Sequence, residues 1–100
     1  MLTKERIVAA LREHSTYLSN EFGIRRIGLF GSFAKGNPGE QSDIDIVVEF
    51  ERPIGLRFME LVDYLEQLFG RNVDILTLAG LQGIRRKAIA KSIAQSIVYV

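Results

Sequence analysis

Gly31-Ser32-Phe33-Ala34-Lys35-Gly36-Asn37-Pro38-Gly39-Glu40-Gln41-Ser42-Asp43-Ile44-Asp45 is the stretch on which the reading of the fold turns. The run that leads into it, Ile24 to Phe30, is rich in β-branched and aromatic residues, and Ile27 alternates with Leu29. That pattern predicts a buried strand running straight into Gly31-Ser32. From Lys35 to Ser42, Gly, Asn, Pro and Ser concentrate, which is turn chemistry rather than a periodic element. A second strand then begins: Ile44, Ile46, Val48 and Phe50 point one way, while Asp43, Asp45, Val47 and Glu49 point the other. The two strands thus join at a loop whose far side carries acids.

Outward from this centre, the N-terminal segment reads as a helix capped by Thr3, with Leu2 and Ile7 placed as a hydrophobic staple. Ile7, Leu11, Leu18 and Phe22 recur at helical spacing, and the helix is expected to end at Gly23. Beyond Pro53 and Gly55, the positions of Phe58, Leu61, Val62, Leu65, Leu68 and Phe69 predict an amphipathic helix closed by Gly70. Val73 to Leu78 gives a short third strand, and strand, helix, strand in that order favours a parallel pair with a right-handed crossover. A last helix from about Leu81 to Ser96 carries Ile89, Ile93 and Ile97 on one stripe. The apolar end, Ile97 to Val100, either packs on the sheet or belongs to an interface. The expected architecture is an α+β (α/β two-layer) domain over residues 1–100, with a small mixed sheet of about three strands covered by helices.

Composition agrees with one soluble folding unit. The chain has 100 residues, 47% hydrophobic and 25% charged, enough apolar side chain to build a core. Thirteen basic against twelve acidic residues leave a formal charge of +1, too balanced for affinity resting on a general phosphate-backbone field, so no direct nucleic-acid binding is expected. With no cysteine, disulfides and thiolate metal sites are excluded. No apolar run approaches the roughly 18 residues of a membrane span, and the first residues lack a signal peptide's apolar stretch. A cytoplasmic protein is the expectation.

The chemistry is carried by carboxylates. Asp43 and Asp45, at i and i+2 of a strand, project from one face, and the third strand brings Asp74 to a neighbouring position. Three acids within about 4 to 6 Å of one another repel, raising the pKa of at least one unless a cation relieves them. Oxygen donors without nearby His or Cys select Mg²⁺, or Mn²⁺, over zinc, and Mg²⁺ held by so few carboxylates shares its remaining positions with water and phosphates. Two such ions, roughly 3.5 to 4 Å apart, suit an in-line displacement at phosphorus. Gly31 has no side chain to block a triphosphate, and Ser32 offers a hydroxyl.

Gly31, Ser32, Asp43, Asp45 and Asp74 together resemble the minimal nucleotidyltransferase domain of the DNA polymerase beta superfamily, whose signature is G-S-x10-D-x-D followed by a third Asp. The resemblance covers nearly the whole chain and implies the nucleotidyltransferase fold. It implies that Asp43 and Asp45 bind both metals, that Asp74 binds the catalytic metal and helps activate the acceptor, and that Gly31-Ser32 holds nucleotide phosphates, with Lys35 as a further contact. Short members are often antitoxins encoded beside a helical HEPN-type ribonuclease toxin. The resemblance therefore implies transfer of AMP from ATP to a toxin tyrosine; the sequence itself leaves a homo- or hetero-oligomer open. One departure stands out: after G-S the family commonly reads R-A-R-G, and Phe33 here removes one expected cation while Lys35 and Gly36 keep the pattern.

Blander readings stand beside these. Asp43 and Asp45 alone would pass for solvated acids at a strand start, Ser32 for a helix cap, and Lys35 for an exposed loop lysine. G-x-G-x-x-G is absent, and Gly31-x4-Gly36 lacks the Lys and Ser or Thr of a P-loop. Arg85, Arg86, Lys87 and Lys91 read as a wet helix face, Arg25 and Arg26 as solvated, His14 as non-catalytic, and Tyr17, Tyr64 and Tyr99 as packing residues. The rival function is an antitoxin that neutralises its toxin by covering it, with little or no catalysis. Transfer to nucleic-acid ends is disfavoured by the charge balance.

Overall fold

The computed structural model describes residues 2–39 and 42–100. Its order is α1 (Lys4–Glu13), α2 (Ser15–Phe22), β1 (Ile24–Phe30), α3 (Gly31–Lys35), β2 (Ile44–Phe50), α4 (Arg57–Phe69), β3 (Val73–Thr77), α5 (Leu78–Gln82), α6 (Lys87–Ser96) and β4 (Val98–Tyr99). The sheet runs β3-β2-β1-β4, with β1 antiparallel to β2 and β4, and β2 parallel to β3 across the helical crossover.

Three expectations need correction. The described sheet has four strands rather than about three, because Val98 and Tyr99 pair with Leu29 and Gly28. The first helix is two: His14 leaves helical geometry at φ −95°, ψ 5°, and the Ser15 hydroxyl donates to the Arg12 carbonyl, ending one helix and opening the next. The last helix is also two, α5 beginning at Leu78 behind a Thr77 side-chain cap and stopping before Gly83. Helix ends at Gly23 and Gly70, and the Thr3 cap on the Arg6 amide, stand as expected. The loop expected from Lys35 to Ser42 starts one residue later, since Lys35 is the last residue of α3; Glu40 and Gln41 lie outside the described residues.

The sheet buries its two faces unequally. Ile27, Leu29, Ile44, Ile46 and Val48 share a face and pack in one cluster with Ile7, Leu11, Leu18, Phe22, Leu61 and Leu65 from α1, α2 and α4. A one-residue bulge between Ile24 and Arg26 keeps Ile24 on that face too, despite the parity of its number. On the opposite face lie Gly28, Asp45, Val47 and Asp74. There the chain's last segment comes down so closely that a Cβ on Gly28 would meet Ile97 Cγ2 at 2.7 Å. Val47 is fully buried although it shares the acid-bearing face.

Candidate active site

Three elements end at one edge of the sheet and define the site. β1 delivers Gly31-Ser32 at its C-terminal end, opposite the start of β2, where Phe30 pairs with Asp45. β3 runs parallel beside β2 with Asp74 directly opposite Asp45, so the two carboxylates occupy neighbouring strands on one face, about 4.8 Å apart across the sheet at the backbone. Asp43 lies two residues before Asp45 on the approach to β2. The spacing of G-S to D-x-D is thus the length of chain that carries the turn from the end of β1 to the adjacent antiparallel strand.

Gly31 is where the backbone is most tightly constrained. Its φ of +74° lies in the left-handed region, and a Cβ built on it would collide with the Asp45 carboxylate. Glycine at this position therefore both makes the turn from strand to helix and leaves room for the acid. Ser32 is half-buried in the first turn of α3, and its carbonyl accepts the Asn37 amide at 2.9 Å. Lys35 is exposed at the other end of that helix.

The electrostatics mark Asp45 out. Burial in the first place, then the charges of Asp74 and Asp43, hold its carboxyl above the ordinary carboxylate range. Asp45 therefore feels both other acids; Asp74 is exposed, and Asp43 and Asp45 are half-buried. Among the described residues, however, no three acidic or imidazole side chains stand close enough together, as placed, to hold an ion. The sheet brings the acids to one edge but does not close them into a cage.

Two further residues shape this edge. Phe33, at the position of the missing cation, turns inward and is buried in the core cluster. Arg71, which sequence reasoning passed over, donates to the Ser42 carbonyl at 3.0 Å with its guanidinium over the Phe33 ring. No sequence pattern announces such a contact, because its partners lie in two other segments. Arg25 and Arg26 sit at the opposite end of β1 from Gly31, and Arg26 stacks over Tyr99 at 4.2 Å. His14 bonds the Tyr64 hydroxyl, and Tyr17 stacks on Tyr64 with ring centres 4.9 Å apart, which makes both tyrosines packing residues. Arg85, Arg86, Lys87 and Lys91 are exposed.

The family model of the nucleotidyltransferase domain matches residues 11–100, from the end of α1 through all of the sheet. This chain belongs to the nucleotidyltransferase domain family. Among relatives, protein adenylyltransferase MntA of Thermococcus cleftensis is 44% identical over 101 residues, covering 100% of this chain and 98% of the relative. A solved structure provisionally assigned as a minimal nucleotidyltransferase superimposes with a TM-score of 0.72 at 30% identity, covering 97% of this chain and 95% of that one. A toxin–antitoxin complex with AMP-PNP gives a TM-score of 0.64 at 23% identity over 98% of this chain and 72% of that one. An MNT antitoxin complex with a tri-AMPylated HEPN toxin of Shewanella oneidensis gives 0.56 at 21% identity over 96% and 66%. These last two likenesses are likenesses of fold. The mixed sheet and its helices are the nucleotidyltransferase fold.

Proposed function

We propose that this chain is a Mg²⁺-dependent protein adenylyltransferase that moves AMP from ATP onto a tyrosine hydroxyl of a HEPN-type toxin and so acts as its antitoxin in the cytoplasm. One observation carries the reading: Asp45 and Asp74 are register partners at the edge where Gly31 makes room for the Asp45 carboxylate. The name and 44% identity of the adenylyltransferase relative support the acceptor class. The fold shared with toxin-bound antitoxins supports the partner.

The donor set fits a hard divalent cation. All three donors are carboxylates, and Asp45 is held above its ordinary pKa by its burial and its acidic neighbours, a strain that a cation removes. Asp43, Asp45 and Asp74 would hold Mg²⁺, or Mn²⁺, with two ions in the loaded enzyme. When bound, the metal neutralises phosphate charge and lowers the pKa of the attacking hydroxyl.

The chain's own residues do the rest by position. Gly31 and Ser32 receive the triphosphate where no Cβ projects, and Lys35, exposed at the end of α3, adds a cation to the phosphates. Asp74, exposed beside Asp45, faces the incoming acceptor and takes part in removing its proton. The tyrosine oxygen then bonds to the α-phosphorus as the bond to the β-phosphate bridge oxygen breaks, and pyrophosphate leaves with the electron pair. Positioning and charge neutralisation supply most of the rate in transfers of this kind, which suits so small a domain.

Incubation of the chain with ATP, Mg²⁺ and its co-purifying partner tests the proposal. The expected result is a partner heavier by one or more AMP units, lost with Asp45→Asn. Neutralisation of the partner by Asp45→Asn without added mass would instead establish an antitoxin that works by binding.

A further inference from the structure

Arg71 stands two residues before β3, outside the acid trio, yet it touches both other segments of the site. Its Nη1 donates to the Ser42 carbonyl at 3.0 Å in a partly buried setting. Its guanidinium carbon lies 5.3 Å from the centre of the Phe33 ring. Ser42 immediately precedes Asp43, Phe33 immediately follows Gly31-Ser32, and Asp74 is three residues beyond Arg71. One planar group therefore joins the three segments that bring the glycine turn and the acids together. The ion pairs of Arg57 with Glu21 and Glu60 do not involve Arg71.

We infer that Arg71 is a positioning residue that fixes the α3 turn against the Asp43 approach to β2, an inference that rests on the proposed reading of the acids. The geometry explains why arginine suits the place: a guanidinium can lie face-on to a ring while its in-plane N–H groups reach a carbonyl. A lysine ammonium has no planar face to lay on the ring while it reaches the carbonyl. The other bonds nearby leave α3 out. Ser42 is otherwise tied to Gly39, its amide donating to the Gly39 carbonyl at 3.2 Å and its hydroxyl oxygen accepting from the Gly39 amide at 2.8 Å, and the Ile44 amide donates to the Asn72 carbonyl at 3.0 Å. Those contacts hold the turn and join β2 to β3. Arg71 adds the link to the helix that follows Gly31.

The experiment compares the unaltered chain with Arg71→Met, which keeps the stem and removes the donors, with Arg71→Lys, and with Thr3→Ala as a distant control that loses the α1 cap. Amide hydrogen exchange is measured over residues 31–34 and 42–44, and Mn²⁺ affinity by the electron paramagnetic resonance of the free ion. The kcat and KM for ATP are measured with the partner protein. In Arg71→Met, exchange in both segments rises about tenfold. Mn²⁺ affinity and kcat each fall roughly tenfold, as for an outer-layer contact to metal ligands, while KM for ATP stays within about twofold. Arg71→Lys resembles Arg71→Met, and Thr3→Ala lowers the melting temperature without moving either segment. Unchanged exchange and Mn²⁺ affinity in Arg71→Met, or equal changes in Thr3→Ala, would overturn the role of Arg71. Intact Mn²⁺ binding and AMP transfer in Asp45→Asn would instead overturn the reading of the acids, while the exchange result still decides the clamp.

Discussion

The two faces of the sheet are built on opposite plans. One is sealed: Leu29, Ile44, Ile46 and Val48 are fully buried beneath Ile7, Leu11, Leu61 and Leu65. The other holds Asp45, Asp74 and Glu49, and α6 buries no residue at all, leaving Ile89 46% exposed. The contrast shows how 100 residues can house both a core and an acid-bearing edge. Stability comes from three helices on one side, which frees the other side to carry mutually repelling carboxylates that a fully packed face could not tolerate.

The largest expected break in this comparison is Asp45→Asn. AMP transfer should fall by about 10³-fold or more, since the residue lies at the centre of the charge arrangement. In metal-free buffer at neutral pH the same variant should melt roughly 2 °C higher, because it removes a half-buried charge beside Asp74 and Asp43. A substitution that destroys function while raising the melting temperature belongs only to the acid face. On the sealed face the signs reverse: Leu61→Ala should cost about 3 kcal/mol in urea unfolding, whereas Ile89→Ala on α6 should stay within about 0.5 kcal/mol.

Two glycines sharpen the picture next. Gly31 and Gly36 flank α3 with nearly equal φ, +74° and +79°, but a Cβ on Gly36 would meet nothing within 4 Å. Gly36→Ala should therefore cost about 1 kcal/mol, from backbone conformation alone. Gly31→Ala should cost about 2 kcal/mol and also displace the Asp45 carboxylate, lowering kcat by about 100-fold in the transfer assay. Equal effects at the two positions would show that the contact with Asp45 contributes nothing.

The smallest effect is a slope with pH. Asp45 binds its proton more tightly folded than unfolded, so the folded state holds more protons in the window between the two pKa values. Its contribution to stability is therefore present below the ordinary carboxylate pKa of about 3.9 and is lost as pH rises through the folded value. Comparing chain and Asp45→Asn by thermal melts from about pH 4 to pH 7 in chelator should show the variant's advantage growing with pH.

Much of this was legible in the sequence, for physical reasons that differ by segment. The alternation from Ile44 to Phe50 fixes a face because strand period is two, and it correctly separated the acids from the core. Glycine marks helix ends by backbone conformation, so Gly23 and Gly70 could be read locally. The break at His14 was hidden because Leu11 and Leu18 keep the same buried side across it, as a continuous helix would. Gly83 was an available stop signal for α5, overshadowed by the stripe of Ile89, Ile93 and Ile97. The two residues of β4 show no period, since their pairing depends on Gly28 and Leu29 across the fold. At the site, chain spacing pointed to Gly31, Asp43, Asp45 and Asp74, but Val47's burial among the acids and the reach of Arg71 depend on contacts between distant segments.

The central claim is that Asp45 and Asp74, register partners on adjacent strands, form one cation site with Asp43. Thermal melts of the nucleotide-free chain across a Mg²⁺ titration at neutral pH test it most directly. The account predicts a saturable rise in melting temperature for the chain and little or none for Asp74→Asn, whose fold is otherwise intact. A full rise in Asp74→Asn, with the same midpoint as the unaltered chain, would contradict it.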